Sequence, residues 1–171
     1  YTDYHFACTG ALGVEAACKI AMTHTGKKSI VAFKNSYHGI SAYGNFLTSR
    51  TNNIEKRLKE YPDLGWDKAS NVEELRNILS RNNDVAAVIM EPIQGTQGDI
   101  YYPQNFFIEL RDICTAYDVP LIFDEVQTGF GVTGKVWHFE NLGIEPDIVA
   151  FGKKSQVSGV MVKQKFNKIS N

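Results

Sequence analysis

Apolar residues in this chain fall into short dense runs, separated by longer stretches with helical spacing. Ser29–Phe33 (SIVAF), Val85–Met90 (VAAVIM) and Asp147–Phe151 (DIVAF) are almost uninterruptedly apolar. Each is too short for a helix and offers no polar face, so each reads as a strand buried on both sides. Pro120–Phe123 is a further strand, ending on Asp124, and Val157–Val162 is a candidate fifth.

The intervening stretches carry the helical pattern. Ala16, Ala17, Ile20 and Ala21 place a helix over about Gly13 to His24, with Gly26 as its stop. Asn71–Ser80 (NVEELRNILS) is amphipathic, with Asn71 as its N-cap. Asn105–Tyr117 sets Phe106, Leu110, Ile113 and Cys114 on one stripe, and Val136–Asn141 is a short helix. Tyr37–Phe46 is rich in Gly and Ser and reads as a loop with room for a short helix; Thr51–Asn71, polar and carrying Pro62 and Gly65, is the least predictable stretch.

Two-sided strands alternating with helices predict an α/β fold, a mainly parallel sheet covered on both faces. In such sheets ligands sit beyond the carboxyl ends of the strands. The polar clusters fall there: Glu91 after the second strand, Asp124 and Glu125 after the third, Lys153 after the fourth.

The 171 residues, 43% hydrophobic, are enough for one core. A formal net charge of -1 and no basic stripe argue against a nucleic-acid partner or an anionic membrane surface. No apolar run approaches the roughly 18 residues of a membrane-spanning helix. Cys8, Cys18 and Cys114 are widely spaced and odd in number, which predicts a reduced, cytoplasmic chain and no metal site. The chain opens at Tyr1 on a structured-looking segment and therefore reads as part of a longer protein.

Chemistry concentrates in four segments. In Leu121–Gly134 (LIFDEVQTGFGVTG), Asp124 ends a buried strand, where a carboxylate needs a cationic or hydrogen-bonding partner. A protonated pyridine nitrogen is one such partner; a helix cap or a structural Arg is another. The same segment admits a nucleotide-hydrolase reading, LIFDE as a Walker B strand and Gly129–Lys135 (GFGVTGK) as a P-loop. Val136 occupies the magnesium-binding Ser/Thr position, however, and one strand end would serve both motifs.

In Asp147–Gly159 (DIVAFGKKSQVSG), Lys153 or Lys154 at a strand end is either a nucleophile or solvated charge. Cys8–Glu15 (CTGALGVE) opens a helix with small residues, an arrangement suited to phosphate. Tyr37-His38-Gly39 offers an aromatic face, for a flat ring or for the core.

The order and wording of these segments resemble the class III aminotransferases, the group that includes ornithine, acetylornithine, 4-aminobutyrate and lysine aminotransferases. The resemblance runs from about Phe6 to Val162 and is most specific in YHG, IMEPIQG, LIFDEVQTGFGVTG and PDIVAFGKK; TGALGVEAACK and VAFGKKSQVSGVM are most similar to the lysine 6-aminotransferases. It implies the large domain of a fold type I transferase dependent on pyridoxal 5'-phosphate, residues 1–171 forming one cofactor-binding core of a homodimer.

By motif, Lys153 forms the Schiff base, with Lys154 the weaker candidate, and Asp124 binds the pyridine nitrogen. Gln127 bonds the phenolic oxygen, Val126 and Tyr37 contact the ring faces, Gly10 and Ala11 give backbone N–H groups to the phosphate, and Glu91 belongs to the surrounding polar network. The implied reaction moves an amino group from an amino acid or ω-amine, such as lysine or ornithine, to a 2-oxo acid. A racemase, aminomutase or decarboxylase of the same fold, or an incompetent truncated domain, are the alternatives.

Two departures stand out. Where the family has SGTEAVE, Ala11 lacks the hydroxyl, and where EPIQG is usually followed by Glu there is Thr96, which puts substrate switching by that Glu in doubt. The family's carboxylate-binding Arg and the partner's phosphate-binding Thr are absent, so these residues alone are expected not to transaminate.

Overall fold

The computed structural model describes residues 1–49 and 64–166. In chain order the elements are β1 (Asp3–Ala7), α1 (Gly10–Thr25), β2 (Ser29–Phe33), α2 (Ala42–Leu47), β3 (Lys68–Ala69), α3 (Val72–Arg81) and β4 (Val85–Met90). They continue with β5 (Ile93–Gln94), β6 (Ile100–Tyr101), α4 (Gln104–Ala116), β7 (Leu121–Asp124), α5 (Phe139–Leu142), β8 (Ile148–Phe151) and β9 (Ser158–Val162). Most of the stretch predicted to be irregular, 51–71, lies outside the described residues; its last part contributes β3.

Seven strands form one sheet in the order β1-β9-β8-β7-β4-β2-β3. The five from β8 to β3 run parallel. β9 pairs antiparallel with β8, and β1 antiparallel with β9. The mainly parallel α/β architecture expected from the two-sided strands is thus present, with an antiparallel edge. β1 has no counterpart in the pattern analysis, because Tyr4, His5 and Phe6 are all exposed on this edge strand and no buried run marks it.

Strand periodicity divides the core into two layers. Val31, Phe33, Val88, Met90, Leu121 and Phe123 face α3 and α4; Ile30, Ala32, Ala87, Ile89, Ile122 and Ala150 face α1. All six residues of β4, an interior strand of the sheet, are buried. Burying such side chains contributes about 1.5–3 kcal/mol each for the larger ones, the main term holding the layers together.

Helix boundaries follow local chemistry. α1 starts at Gly10, three residues before the apolar pattern indicates, because Thr9 caps it: its Oγ1 accepts from Leu12 N at 3.2 Å. It ends where Gly26 adopts φ 70°, a left-handed conformation glycine reaches without strain. Asn71 caps α3 as predicted, accepting from Glu74 N at 2.8 Å. The expected helix over 136–141 is confined to Phe139–Leu142, since Glu125 draws the N–H groups of His138 and Phe139 to its own carboxylate at 2.7 and 2.9 Å.

Candidate active site

The carboxyl ends of β2, β4, β7 and β8 and the N-terminus of α1 converge on one side of the sheet. There they enclose a cavity of about 210 Å³. Gly10, Ala11, Tyr37, Glu91, Asp124, Val126, Gln127 and Lys153, the eight candidate residues from the sequence, all line it. Lys154 does not line it and is exposed. Two larger cavities, of about 900 and 630 Å³, lie elsewhere and contain none of the eight.

Asp124, the last residue of β7, is 6% exposed. Its Oδ1 accepts from Val126 N at 3.1 Å, and its Oδ2 lies 2.9 Å from Nδ1 of the fully buried His38. His38 carries no role in the sequence analysis beyond its place in the YHG motif. Its buried Nε2 has no hydrogen-bond partner among the described residues.

Glu91 follows β4 directly and is also buried. Its Oε1 accepts from Tyr37 N at 2.7 Å. Burial pushes its carboxyl up to about 7; His38 and the N–H groups of Tyr37 and Gly95 oppose that rise, and Asp124 adds to it. Glu125, which does not line the cavity, is likewise raised by burial, while bonds from His138, Phe139 and Thr128 act against this.

Lys153 sits in a short 3-10 turn after β8 with φ 50°, a left-handed conformation costly for a residue with a Cβ. Its Nζ donates to Gln127 Oε1. The turn thereby aims the lysine at the segment after β7.

At the α1 terminus, Thr9 satisfies the amides of Leu12 and Gly13. The N–H groups of Gly10 and Ala11, first in the helix, have no helical partner and border the cavity. Glycine at position 10 leaves room for Val126, since a Cβ would stand 2.7 Å from Val126 Cγ1. These features suit pyridoxal phosphate: a carboxylate for a ring nitrogen, free amides at a helix start for a phosphate, an aromatic and an aliphatic side chain for a flat ring, and an amine within reach. The P-loop reading of 129–135 fails, because this segment is a series of turns leading only to the four-residue α5, and Lys135 is exposed away from the cavity.

The chain is similar to known proteins. The family described as Aminotransferase class-III matches residues 3–168. The L-lysine-epsilon aminotransferase of Mycobacterium tuberculosis (strain ATCC 25618 / H37Rv) is 34% identical over 194 residues, covering 95% of this chain and 42% of that protein. The [LysW]-aminoadipate semialdehyde/glutamate semialdehyde transaminase of Sulfurisphaera tokodaii is 41% identical over 145 residues, covering 85% of this chain and 37% of its own length. The chain thus spans less than half the length of these relatives. Among solved structures, lysine aminotransferase from M. tuberculosis in the internal aldimine form superposes with a TM-score of 0.85 at 32% identity, over 98% of this chain and 45% of that one. The chain belongs to the class-III aminotransferases, a family of enzymes that depend on pyridoxal phosphate.

Proposed function

We propose that the protein to which these residues belong transfers an amino group from an ω-amine, such as that of lysine or ornithine, to a 2-oxo acid, and that Lys153 carries the chemistry. The observation behind this reading is the convergence of Lys153, Asp124 and the α1 amides on one cavity, from segments far apart in the chain. The lysine and semialdehyde transaminases among its relatives support the choice of donor.

Bound pyridoxal phosphate supplies an electron sink for a carbanion next to the transferred nitrogen. Lys153 would hold the cofactor through Nζ and, with its amine free, would move a proton as general base and acid. Asp124 would keep the ring nitrogen protonated, with His38 orienting Asp124. Gly10 and Ala11 would bind the phosphate, Gln127 the phenolic oxygen, and Tyr37 and Val126 the ring faces. The missing hydroxyl at Ala11 leaves phosphate recognition to backbone groups.

The complete protein acts in this reading as a cytoplasmic homodimer. Ile40, 79% exposed at the cavity, and Phe130, Val136 and Val157 in the loops after β7 and β8 are apolar surface that a partner subunit would cover.

The test is covalent trapping. Protein incubated with pyridoxal phosphate is reduced with borohydride and mapped by peptide mass spectrometry. Modification on Lys153, lost in Lys153→Ala and kept in Lys154→Ala, is expected. Modification on Lys154 alone would move the attachment point, and none on either would remove the reading.

A further inference from the structure

Glu91 contacts two separate walls of the cavity. From the end of β4 it accepts the amide of Tyr37, in the segment after β2, at 2.7 Å. It also takes the amide of Gly95, in its own following segment. Gly95 in turn packs on Gln127: a Cβ there would stand 3.2 Å from Gln127 Cγ. Gln127 accepts from Lys153. One buried carboxylate therefore links the aromatic wall to the wall that holds the lysine.

A second tie spans the same segments, and its Gln94–Lys34 link carries no titratable group. Gln94 Nε2 donates to Lys34 O at 2.8 Å, and Tyr102 Oη donates to Gln94 Oε1 at 3.0 Å. Protonating Glu91 therefore loosens Tyr37 locally without releasing the whole segment. A neutral carboxyl bonds amides more weakly than a carboxylate, and its O–H is a donor set among donors.

We propose that Glu91 is a positioning residue, and that its carboxylate form holds Tyr37 and the Gln127 wall in place, so that the site loses affinity for pyridoxal phosphate as Glu91 takes up a proton. The proposal rests on the reading of this cavity as the cofactor site. The titratable groups facing Glu91 are Tyr37 and His38 from the segment after β2, Asp124 from β7 and Tyr102 from the segment before α4, with Lys153 lining the same cavity.

The stability effect has the opposite sign, and this separates positioning from simple structural damage. With its carboxyl raised to about 7 by burial, the folded chain keeps a proton that the unfolded chain, near an ordinary glutamate value, has released. Stability is therefore lost as pH rises between these two values and is level above them. Glu91→Gln removes that loss, so its Tm at about pH 8.5 should equal or exceed that of the wild type.

The experiment measures the Kd of pyridoxal phosphate by equilibrium dialysis, with Tm alongside, for wild type and Glu91→Gln at about pH 8.5 and about pH 5.5. At the higher pH the variant's Kd should be about tenfold weaker with no fall in Tm, and at the lower pH the two proteins should converge. Equal Kd at both pH values, or weakening at both together with a lowered Tm, overturns the proposal. In the wild type, the amide protons of Tyr37 and Gly95 should titrate together in NMR spectra with a midpoint of about 7; shifts that stay constant through that range overturn it as well. Absence of saturable binding by the wild type, or undiminished affinity in Lys153→Ala, would remove the cofactor-site reading itself.

Discussion

His38 Nδ1 lies 2.9 Å from Asp124 Oδ2, joining the segment after β2 to the end of β7 across 86 residues of sequence. Asp124 has little room to move, since Val126 N holds its other oxygen. A carboxylate fixed on both oxygens and facing a cavity is preorganised for a cation.

Replacing His38 by Leu should remove this support and leave a buried carboxylate short of one partner. The expected cost is about 1–3 kcal/mol in urea unfolding, with weaker binding of pyridoxal phosphate. His38→Asn, whose amide can donate from nearly the place of Nδ1, should recover most of both losses. If Leu and Asn variants behaved alike, the hydrogen bond would have no such role.

Asp124→Ala tests the other partner. In the full-length protein it should cut turnover by orders of magnitude and weaken cofactor retention, because the ring nitrogen loses its charged acceptor. Steady-state kinetics and dialysis of the loaded enzyme check this; near-normal turnover in a folded variant would contradict the role.

Gly10→Ala should damage the site through shape alone. Its Cβ would meet Val126 Cγ1 at 2.7 Å, so either the α1 terminus or Val126 must shift. Overpacking of this kind costs about 1–3 kcal/mol, measurable as a lowered Tm. Gly10→Ala with Val126→Ala should restore the Tm while leaving cofactor binding weak, if Val126 packs on the ring as proposed.

At the opposite end of the sheet, Asp147 should dominate the acid limb of stability. Burial pushes its carboxyl up, but Leu121 N–H, Lys165 and Arg111 together hold it below the usual carboxylate range. Leu121 N lies 2.9 Å, and the Arg111 and Lys165 nitrogens 2.8 Å, from its oxygens. A depressed value contributes stability that is complete above the unfolded carboxylate value, about 3.9, and is lost as pH falls through the folded one. Asp147→Asn should therefore cost about 1–3 kcal/mol at neutral pH, with the gap to wild type closing in strong acid. A gap independent of pH would show that the charge is not what matters.

Much of this molecule was written in local patterns. Runs such as Val85–Met90 could only be strands buried on both faces, and their alternation with amphipathic stretches indicated a mainly parallel, two-layered sheet. The polar residues placed just after those runs, Glu91, Asp124 and Lys153, had to gather at one end of it. These are consequences of side-chain periodicity and of which residues tolerate burial, and both are properties of neighbouring residues.

Other features depended on contacts between distant residues. The antiparallel course of β9 was decided by pairing with β8 and β1, since alternation along a strand does not encode its direction. Lys153 was separated from Lys154 by a turn at φ 50° that brings its amine to Gln127. His38 found its partner 86 residues away, and Glu91 its amide on Tyr37 54 residues away. A hydrogen bond has a range of about 3 Å and a direction, so only the packed sheet could select these partners.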